Sequence, residues 1–313
     1  MDINWFIPGS TWVMQKIPFH IISGFLGSGK TTFLKQILGQ IPAGEKIGVV
    51  QNEFAPANID GTELKQAGRD FQLLELNNGS VFCACLLGDF VDSLNRFVDR
   101  YQPDLVVLEA SGLSDPTSVA ETLSLPPLSE KIYLAGNWCV VDTVNFNRGG
   151  LMRQRIIHQV RAADVVLLNK ADLAGDKIAG VKAEIRQINP FADLRETSFG
   201  QAFFQEELQP VKKFYFDRVA PLGRPDIQSM VIKSGKRLTR DRLEKFLNQW
   251  APLAYRIKGF VALADGASVA VQCTLGTVEI KPVEWLASPT ELVALTDRFT
   301  LPEWNRSFRE YAG

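Results

Sequence analysis

A glycine-rich segment near the start of the chain has the residue types and spacing of a phosphate-binding loop. The segment GFLGSGKTT fits the pattern G-x-x-x-x-G-K-[ST], follows an apolar stretch and opens an amphipathic one. Its glycines allow backbone N–H groups to turn towards phosphate oxygens, and the start of a helix adds its dipole. Lys30 would bring a positive charge to the β- and γ-phosphates, and the Thr31 hydroxyl is the expected Mg²⁺ ligand. The predicted nucleotide contacts from this loop are Gly24, Gly27, Ser28, Gly29, Lys30, Thr31 and Thr32.

The segment LLNKADL indicates which base the nucleotide carries. An apolar stretch there runs into Asn169-Lys170-x-Asp172. The Asp172 carboxylate can accept hydrogen bonds from both the N1–H and the 2-amino group of guanine. Adenine has an acceptor at N1 and no 2-amino group, so it would leave the carboxylate without good partners, which is costly. With Asn169 supporting the loop and the stem of Lys170 lying along the base, the pattern predicts GTP and GDP as ligands.

The stretch DLVVLEASGLSDP, between these two motifs, carries residues suited to the γ-phosphate end of a nucleotide. Glu109 ends an apolar strand, where a carboxylate can hold Mg²⁺ directly or through water, and Gly112 can bring its N–H to the γ-phosphate. Upstream, the polar loop QNEFAPANID contains Asp60, a candidate for positioning the attacking water or a Mg²⁺-bound water. An exposed loop aspartate is the alternative interpretation of Asp60. The predicted catalytic residues are Lys30, Thr31, Asp60 and Glu109.

Two cysteines one residue apart, Cys83 and Cys85 in VFCACLLG, are a further place where side chains could do chemistry. Such a pair can bind a metal, act as a redox couple, or form two small apolar side chains in a loop. Zn²⁺ prefers four N, S or O ligands, so two thiolates leave half of a tetrahedral site to fill, with Glu53 as a further candidate ligand. Adjacent cationic groups that would activate a thiolate are absent, which disfavours redox chemistry. Metal binding and an apolar loop both stay open.

The elements that must position these residues follow from the hydrophobic pattern. Apolar, β-rich runs alternate with amphipathic stretches, and continuous apolarity is what parallel strands need when helices cover both faces of a sheet. We therefore expect an α/β fold, a P-loop NTPase domain with a mainly parallel, doubly wound sheet. The predicted strands are PFHIISG, KIGVVQN, DFQLLEL, DLVVLEA, IYLAGNWCVVD and ADVVLLNK, and the predicted helices are KTTFLKQILGQI, GDFVDSLNRFVDRY and LMRQRIIHQVRAA.

Proline and glycine residues after this alternation indicate a boundary between two domains. Residues 206–226 contain several of them and are predicted to be a linker. Beyond the linker, one helix, TRDRLEKFLNQW, lies among short strands, which predicts a small α+β domain. The expected organisation is an N-terminal extension at 1–16, a nucleotide-binding domain at 17–205, the linker at 206–226 and a C-terminal domain at 227–313.

Composition excludes several classes of partner. The chain has 313 residues, of which 46% are hydrophobic and 22% charged, as in ordinary globular domains. Its formal net charge of −1 gives no general attraction to nucleic acid or to anionic membranes, and no apolar run is long enough to span a bilayer. Four cysteines are too few for a disulfide scaffold, and the first residues lack the pattern of a secretion signal, so we expect a cytoplasmic protein.

Taken together, the motifs resemble those of the CobW-like GTPases, the group that also holds the nickel-insertion GTPases of hydrogenase and urease. The resemblance is carried by GFLGSGKTT, the Glu109-x-x-Gly112 pair, NEF…ID, Cys-x-Cys, VVDTVNF, QVRAADVVLLNKADL and RIKGF. It implies a P-loop GTPase that converts GTP and water to GDP and phosphate with Mg²⁺. Because no arginine finger can be identified from the sequence, we expect turnover to be slow without a partner. The resemblance also implies a role in metal-centre assembly, with a client metalloprotein as partner. A nucleotide-dependent homodimer is a further expectation.

The chain departs from this family at the cysteines. Relatives carry Cys-x-Cys-Cys there, a site for Zn²⁺ or a similar ion, whereas this chain has Leu86 in place of the third thiol. The resemblance therefore leaves two hypotheses: a weakened site for Zn²⁺ or another transition metal at Cys83 and Cys85, or a metal-independent regulatory GTPase. A P-loop kinase acting on a small molecule is a third hypothesis, disfavoured because such an enzyme has no use for Asn169-Lys170-x-Asp172.

Overall fold

A computed structural model describes residues 16–42, 44–53, 71–77, 87–148, 153–201, 228–274, 276–283 and 289–313. Within these ranges no helix is long and apolar enough to cross a membrane.

The first part of the chain forms a seven-stranded sheet in which every neighbouring pair is parallel. The strand order is β3-β2-β4-β1-β5-β6-β7. Strand β1 is therefore central, with β2, β3 and β4 on one side of it and β5, β6 and β7 on the other. The strands most central to the fold are buried along their length, as a parallel sheet covered on both faces requires. The strands are β1 Ile17–Ser23, β2 Ile47–Glu53, β3 Gln72–Asn77, β4 Leu105–Glu109, β5 Ile132–Asp142, β6 Val165–Asn169 and β7 Asp193–Glu196.

Helices cover both faces of this sheet. Helix α1 packs on one face through residues such as Phe33 and Ile37, and α2 and α3 pack on the other through residues such as Leu94 and Val119. The expected doubly wound α/β architecture is thereby confirmed, although the hydrophobic pattern had indicated only three of these helices. The helices are α1 Lys30–Gln40, α2 Leu87–Tyr101, α3 Pro116–Leu123, α4 Arg153–Ala162, the short α5 Ala171–Ala174 and α6 Lys177–Ile188.

A five-stranded antiparallel sheet with two helices forms the last part of the chain, in the order β11-β10-β9-β12-β8. Both helices pack on one face of the sheet, where Phe246 and Trp304 meet in an aromatic core. The α+β prediction is confirmed, but its single helix was an undercount because the last helix was missed. The elements are β8 Gln228–Ser234, α7 Arg240–Trp250, β9 Arg256–Ala262, β10 Ser268–Thr274, β11 Thr277–Val283, β12 Thr290–Thr296 and α8 Leu301–Ala312.

The second sheet lies against the amino edge of the first. Leu295 of β12 packs on Tyr133 near the start of β5, and Asp164, just before β6, accepts hydrogen bonds from Arg256 and Lys258 of β9. Burial alone would raise the pKa of Asp164, but the two cations lower it to about 2.

Strand β8 also packs along α3, because Val231 belongs to the same core as Val119 and Lys233 forms ion pairs with Asp115 and Glu121. The loop between β1 and α1 lies at the opposite, carboxyl edge of the parallel sheet. In open parallel sheets that edge is where ligands bind.

Candidate functional site

The loop between β1 and α1 has a backbone that only glycine can adopt at two of its positions. Gly24 has φ 138°, and a Cβ atom there would lie 2.2 Å from the Val140 carbonyl oxygen. Gly29 has φ 103°, and a Cβ atom there would lie 2.3 Å from Asn169 Nδ2. The loop is thus held between two neighbouring strands, β5 and β6. These contacts with the sheet leave no room for a side chain at Gly24 or Gly29.

Lys30 is the first residue of α1 and is buried. Its Nζ atom donates a hydrogen bond to the Phe25 carbonyl oxygen at 3.3 Å, so the ammonium group lies against the backbone of the P-loop. The next residues differ in exposure: the side chain of Thr31 is half-buried and that of Thr32 is exposed. This arrangement places one positive charge beside the N-terminus of α1, where backbone N–H groups point out of the helix.

Thr31 and Glu109 meet at the carboxyl ends of β1 and β4. The Thr31 hydroxyl donates to Glu109 Oε1 at 2.6 Å, and the Gln51 amide donates to Glu109 Oε2 at 3.1 Å. Glu109 is 4% exposed. Hydroxyl and carboxylate oxygens are ligands that Mg²⁺ prefers, and here they are adjacent beside the loop. The two side chains therefore fit a Mg²⁺ ion. The Gln51 amide orients the Glu109 carboxylate through its other oxygen, Oε2.

The segment that follows β4 is held from the side by α4. Gln159 is buried, and its Nε2 atom donates to the carbonyl oxygens of Gly112 and Ser114, each at 3.1 Å. Gly112 lies so close to the P-loop that a Cβ atom there would come within 2.7 Å of the Leu26 nitrogen. The structure thus places Gly112 directly against the P-loop. Sequence reasoning gave Gln159 no role of its own, although this residue begins the QVRAADVVLLNKADL segment that contributed to the family resemblance.

The Asn169-Lys170-x-Asp172 segment is fastened to the P-loop. Asn169 is 3% exposed and donates through Nδ2 to the Ser28 carbonyl oxygen at 2.8 Å. Lys170 has a positive φ of 61° and donates through Nζ to the Gly27 carbonyl oxygen at 3.0 Å. The same ammonium group donates to Asp142 Oδ2 at 2.6 Å. Two side chains at the end of β6 therefore fix the position of this segment relative to the phosphate loop.

A loop after β7 completes this end of the site. The Ser198 hydroxyl donates to Asp172 Oδ1 at 2.7 Å, and the Gly200 N–H donates to Asn169 Oδ1 at 3.1 Å. Asp172 itself is exposed. Residues 197–200, here called the base loop, were missed from the sequence because the strand before them, DLRE, is short and polar. A carboxylate that is exposed yet oriented by a hydroxyl is suited to accept hydrogen bonds from a ligand.

Two family models match the sequence of this chain. Residues 18–195 match the CobW/HypB/UreG nucleotide-binding domain, and residues 227–310 match the cobalamin synthesis protein cobW C-terminal domain. The chain belongs to the CobW/HypB/UreG family. The resemblance inferred from the motifs is confirmed.

Two curated relatives and one solved structure are similar to this chain. The zinc chaperone CobW of a Sinorhizobium species is 30% identical over 195 residues, which span 54% of each chain. The zinc-regulated GTPase metalloprotein activator 1 of Dictyostelium discoideum is 24% identical over 330 aligned positions, covering 87% of this chain and 69% of the relative. The match to the first of these relatives thus spans about half of its length. The Zn(II)-bound YjiA GTPase of Escherichia coli is 22% identical with a TM-score of 0.48, covering 96% of this chain and 100% of that one.

Asp142, in the VVDTVNF motif that contributed to the family resemblance, has two sets of contacts. Its Oδ1 atom accepts hydrogen bonds from the backbone N–H groups of Val144 and Asn145, which is a capping role. Its Oδ2 atom accepts from Lys170 and from the Asn145 side chain. Burial would raise the pKa of Asp142, but the hydrogen bonds from Lys170 and Asn145 outweigh this and hold it below its ordinary value. The negative charge is therefore retained next to Lys170.

Three predicted site residues, Asp60, Cys83 and Cys85, lie outside the described residues. Within the described ranges no group of three or more His, Cys, Asp or Glu side chains could hold a metal ion. Cys139 and Cys273 are buried in strands, and burial raises the pKa of each thiol to about 12. These two thiols stay protonated at neutral pH and are unsuited to bind a metal as thiolates.

Proposed function

We propose that this chain is a GTP-binding and GTP-hydrolysing switch that serves the delivery of a metal to a client metalloprotein. The observation that carries the proposal is the direct attachment of the predicted base-binding segment to the predicted phosphate loop. Asn169 and Lys170 donate to the carbonyl oxygens of Ser28 and Gly27, so both ends of one nucleotide would be held in a fixed relation. Family membership supports the same assignment.

Base selection is proposed to rest on Asp172. Its exposed carboxylate is oriented by the Ser198 hydroxyl, and guanine offers two N–H donors to such a group, whereas adenine offers none at the matching positions. A site with an oriented acceptor rejects a base that leaves it unpaired. Lys170 would lie with its stem along the base while its ammonium group binds Gly27 and Asp142.

Hydrolysis is proposed to depend on charge stabilisation by Lys30 and on a Mg²⁺ ion held by Thr31 and Glu109. When bound, Mg²⁺ would neutralise charge on the β- and γ-phosphates. Lys30 would add a second positive charge, and Gly112 would offer its N–H to the γ-phosphate. Asp60 remains the proposed residue for positioning the attacking water. Water adds to the γ-phosphorus, the bond to the β–γ bridging oxygen breaks, and GDP and phosphate leave.

The metal itself is proposed to be cargo, with Zn²⁺ as the first candidate because the relatives are named zinc chaperone and zinc-regulated activator. Cys83 and Cys85 are the proposed ligands. The leucine at position 86 favours a second candidate function, a GTPase whose cysteine loop binds no metal. Both candidates share every nucleotide residue, so only metal binding separates them.

A paired titration tests this proposal. Co²⁺ is added to the protein with and without GTP. This ion is chosen because thiolate ligation gives a charge-transfer band and tetrahedral geometry gives intense d–d bands. We expect a weak thiolate band in the wild type and a stronger one in Leu86→Cys, which restores a third thiol. If GTP changes the metal affinity, the metal must change the GTP affinity by the same factor. No thiolate band in either protein would identify a metal-independent GTPase. Equal hydrolysis of ATP and GTP would overturn the proposal as a whole.

A further inference from the structure

Three consecutive carbonyl oxygens of the segment after β4 accept hydrogen bonds from helix α4. The Gln159 side chain donates to the carbonyl oxygens of Gly112 and Ser114, each at 3.1 Å. Between these two, the Leu113 carbonyl oxygen accepts from Arg155 Nη1 at 2.5 Å. Gln159 and Arg155 are one turn apart on the same face of the helix, so together they hold this backbone from one side.

Within the part of the chain that the structure describes, these two bonds are the only hydrogen bonds of the Gln159 side chain. The residue is completely buried, and its Oε1 atom has no hydrogen-bond partner there. Burying an amide with an unsatisfied acceptor costs free energy, which an apolar side chain of the same size would avoid. What the glutamine supplies in return is a fixed position for the two carbonyl groups.

The direction of the Gly112 N–H group follows from the bonds on either side of it. The Ser111 carbonyl oxygen accepts from the Ser114 N–H at 2.9 Å, and a planar trans peptide points the Gly112 N–H the opposite way. On the other side of the Cα atom, Gln159 fixes the Gly112 carbonyl group. The Cα atom itself lies against the P-loop, because a Cβ atom there would come within 2.7 Å of the Leu26 nitrogen. The N–H group is thus held in one orientation beside the loop that would bind the phosphates.

Helix α4 can impose this geometry because its other end is anchored. Lys258, in β9 of the second sheet, donates to the Ala162 carbonyl oxygen at 2.9 Å. The Asn189 side chain donates to three carbonyl oxygens around the last turn of the helix, those of Val160, Arg161 and Ala163. A backbone segment held by an anchored helix is ordered before a ligand arrives, which reduces the entropic cost of binding.

We infer that Gln159 is a positioning residue for the γ-phosphate: it holds Gly112 so that the Gly112 N–H meets the third phosphate of GTP, with Arg155 as a second support. The inference rests on the proposed function, because it concerns the same nucleotide and the contact proposed for Gly112. GDP has no γ-phosphate and gains nothing from the oriented N–H group. Gln159 therefore distinguishes GTP from GDP, which Asp172 cannot do because both nucleotides carry guanine.

Calorimetric titration with GDP and with the non-hydrolysable GTP analogue GMPPNP, each with Mg²⁺, tests this role. Gln159→Met keeps the length of the side chain and removes its N–H donor. It should bind GMPPNP about tenfold more weakly than the wild type, equivalent to about 1.4 kcal/mol, while GDP affinity stays within about twofold. Arg155→Met should lose about threefold for GMPPNP alone, a smaller effect because Arg155 is exposed to water.

Arg153→Met is the matched control on the same helix. The Arg153 side chain contacts Asn147 and Glu184 and makes no printed bond to the segment after β4, so both affinities should equal those of the wild type.

Gly112→Ala tests whether Gln159 acts through Gly112. The added Cβ atom would displace this residue from the P-loop, so the variant should also lose affinity for GMPPNP and not for GDP. In the double variant, Gln159→Met with Gly112→Ala, the loss should be no greater than the larger single loss, because both changes act on one N–H group. Additive losses would show that Gln159 acts elsewhere and would overturn the inference.

The comparison of the two nucleotides separates positioning from a general structural role. Equal losses for GDP and GMPPNP in Gln159→Met, or no loss for either, would also overturn the inference. If circular dichroism shows that Gln159→Met does not fold, Arg155→Met decides, and wild-type affinity for GMPPNP in that variant would refute the role of the helix. Failure of the proposed function is a distinct result, since the wild type would then bind the adenine analogue AMPPNP as tightly as GMPPNP.

Discussion

Replacing Asn169 by alanine should destabilise the nucleotide-binding domain and weaken nucleotide binding together. The change removes the side chain that donates to the Ser28 carbonyl oxygen and accepts from the Gly200 N–H, and all three residues are buried. Each buried group left without a partner costs about 1–3 kcal/mol, and a water molecule in the vacated space would recover part of this. We expect a loss of about 2–4 kcal/mol, which lowers the unfolding temperature by about 4–16 °C for a domain of this size.

The effect on binding follows from the same two contacts. Without Asn169, the base loop and the P-loop lose the side chain that joins them, so nucleotide binding must order both loops. GDP affinity should fall at least about tenfold, equivalent to about 1.4 kcal/mol. The measurements are thermal unfolding without nucleotide, and calorimetric titration with GDP well below the unfolding temperature of the variant.

Asn189→Ala is the matched control. Asn189 is also 3% exposed, and its side chain donates to the carbonyl oxygens of Val160, Arg161 and Ala163, away from the nucleotide motifs. Its Oδ1 atom also accepts from the backbone N–H groups of Phe191 and Ala192, so this variant should lose at least as much stability while binding GDP as the wild type does. Equal losses of GDP affinity in the two variants would refute the reasoning, because general destabilisation would then explain both. An Asn169→Ala variant that unfolds like the wild type would refute it as well.

Two further predictions concern single charges. Lys30→Ala should reduce GTP hydrolysis at least about a hundredfold, because its charge acts on the transition state. Circular dichroism should show that the variant keeps its fold. Unimpaired turnover would exclude Lys30 from the mechanism. Asp164, whose folded pKa of about 2 lies below the usual value near 3.8, contributes stability that is present above pH 5 and lost as the pH falls towards 2. Asp164→Asn should therefore lower the free energy of unfolding at pH 7 by about 2 kcal/mol and flatten its acid dependence, as measured by urea unfolding across pH. An unchanged acid dependence would show that Arg256 and Lys258 together do not stabilise the Asp164 charge.

Features encoded by adjacent residues could be predicted from the sequence. The phosphate loop and the Asn169-Lys170-x-Asp172 segment each consist of neighbouring residues that follow a buried strand, so their type and place were visible in the pattern. Contacts between distant segments could not be predicted. Nothing near Ser28 indicates that its carbonyl oxygen accepts from Asn169, because that contact depends on the order of strands in the sheet.

Two of the elements that were not predicted from the sequence were missed for different physical reasons. Strand β7, Asp193–Glu196, lies at an edge of the sheet and is largely polar, so it lacks the apolar run that identified the other strands. The base loop follows this strand and was not predicted for the same reason. Helix α8 did carry a signal: Thr300 and Glu303 form a capping box with a proline in the first turn, which marks the start of a helix. That signal was present and was overlooked.

The most direct test of the account is an exchange of base preference through Asp172. Wild-type protein should bind GDP at least about a hundredfold more tightly than ADP or xanthosine diphosphate, because only guanine pairs two donors with the carboxylate. Asp172→Asn should lose affinity for GDP and gain affinity for xanthosine diphosphate, since the amide N–H can donate to the 2-oxo group of xanthine. Calorimetric titration of both proteins with the three nucleotides gives the answer. Retained preference for GDP in Asp172→Asn, or equal affinity of the wild type for ADP and GDP, would contradict the assignment of this segment as a guanine site.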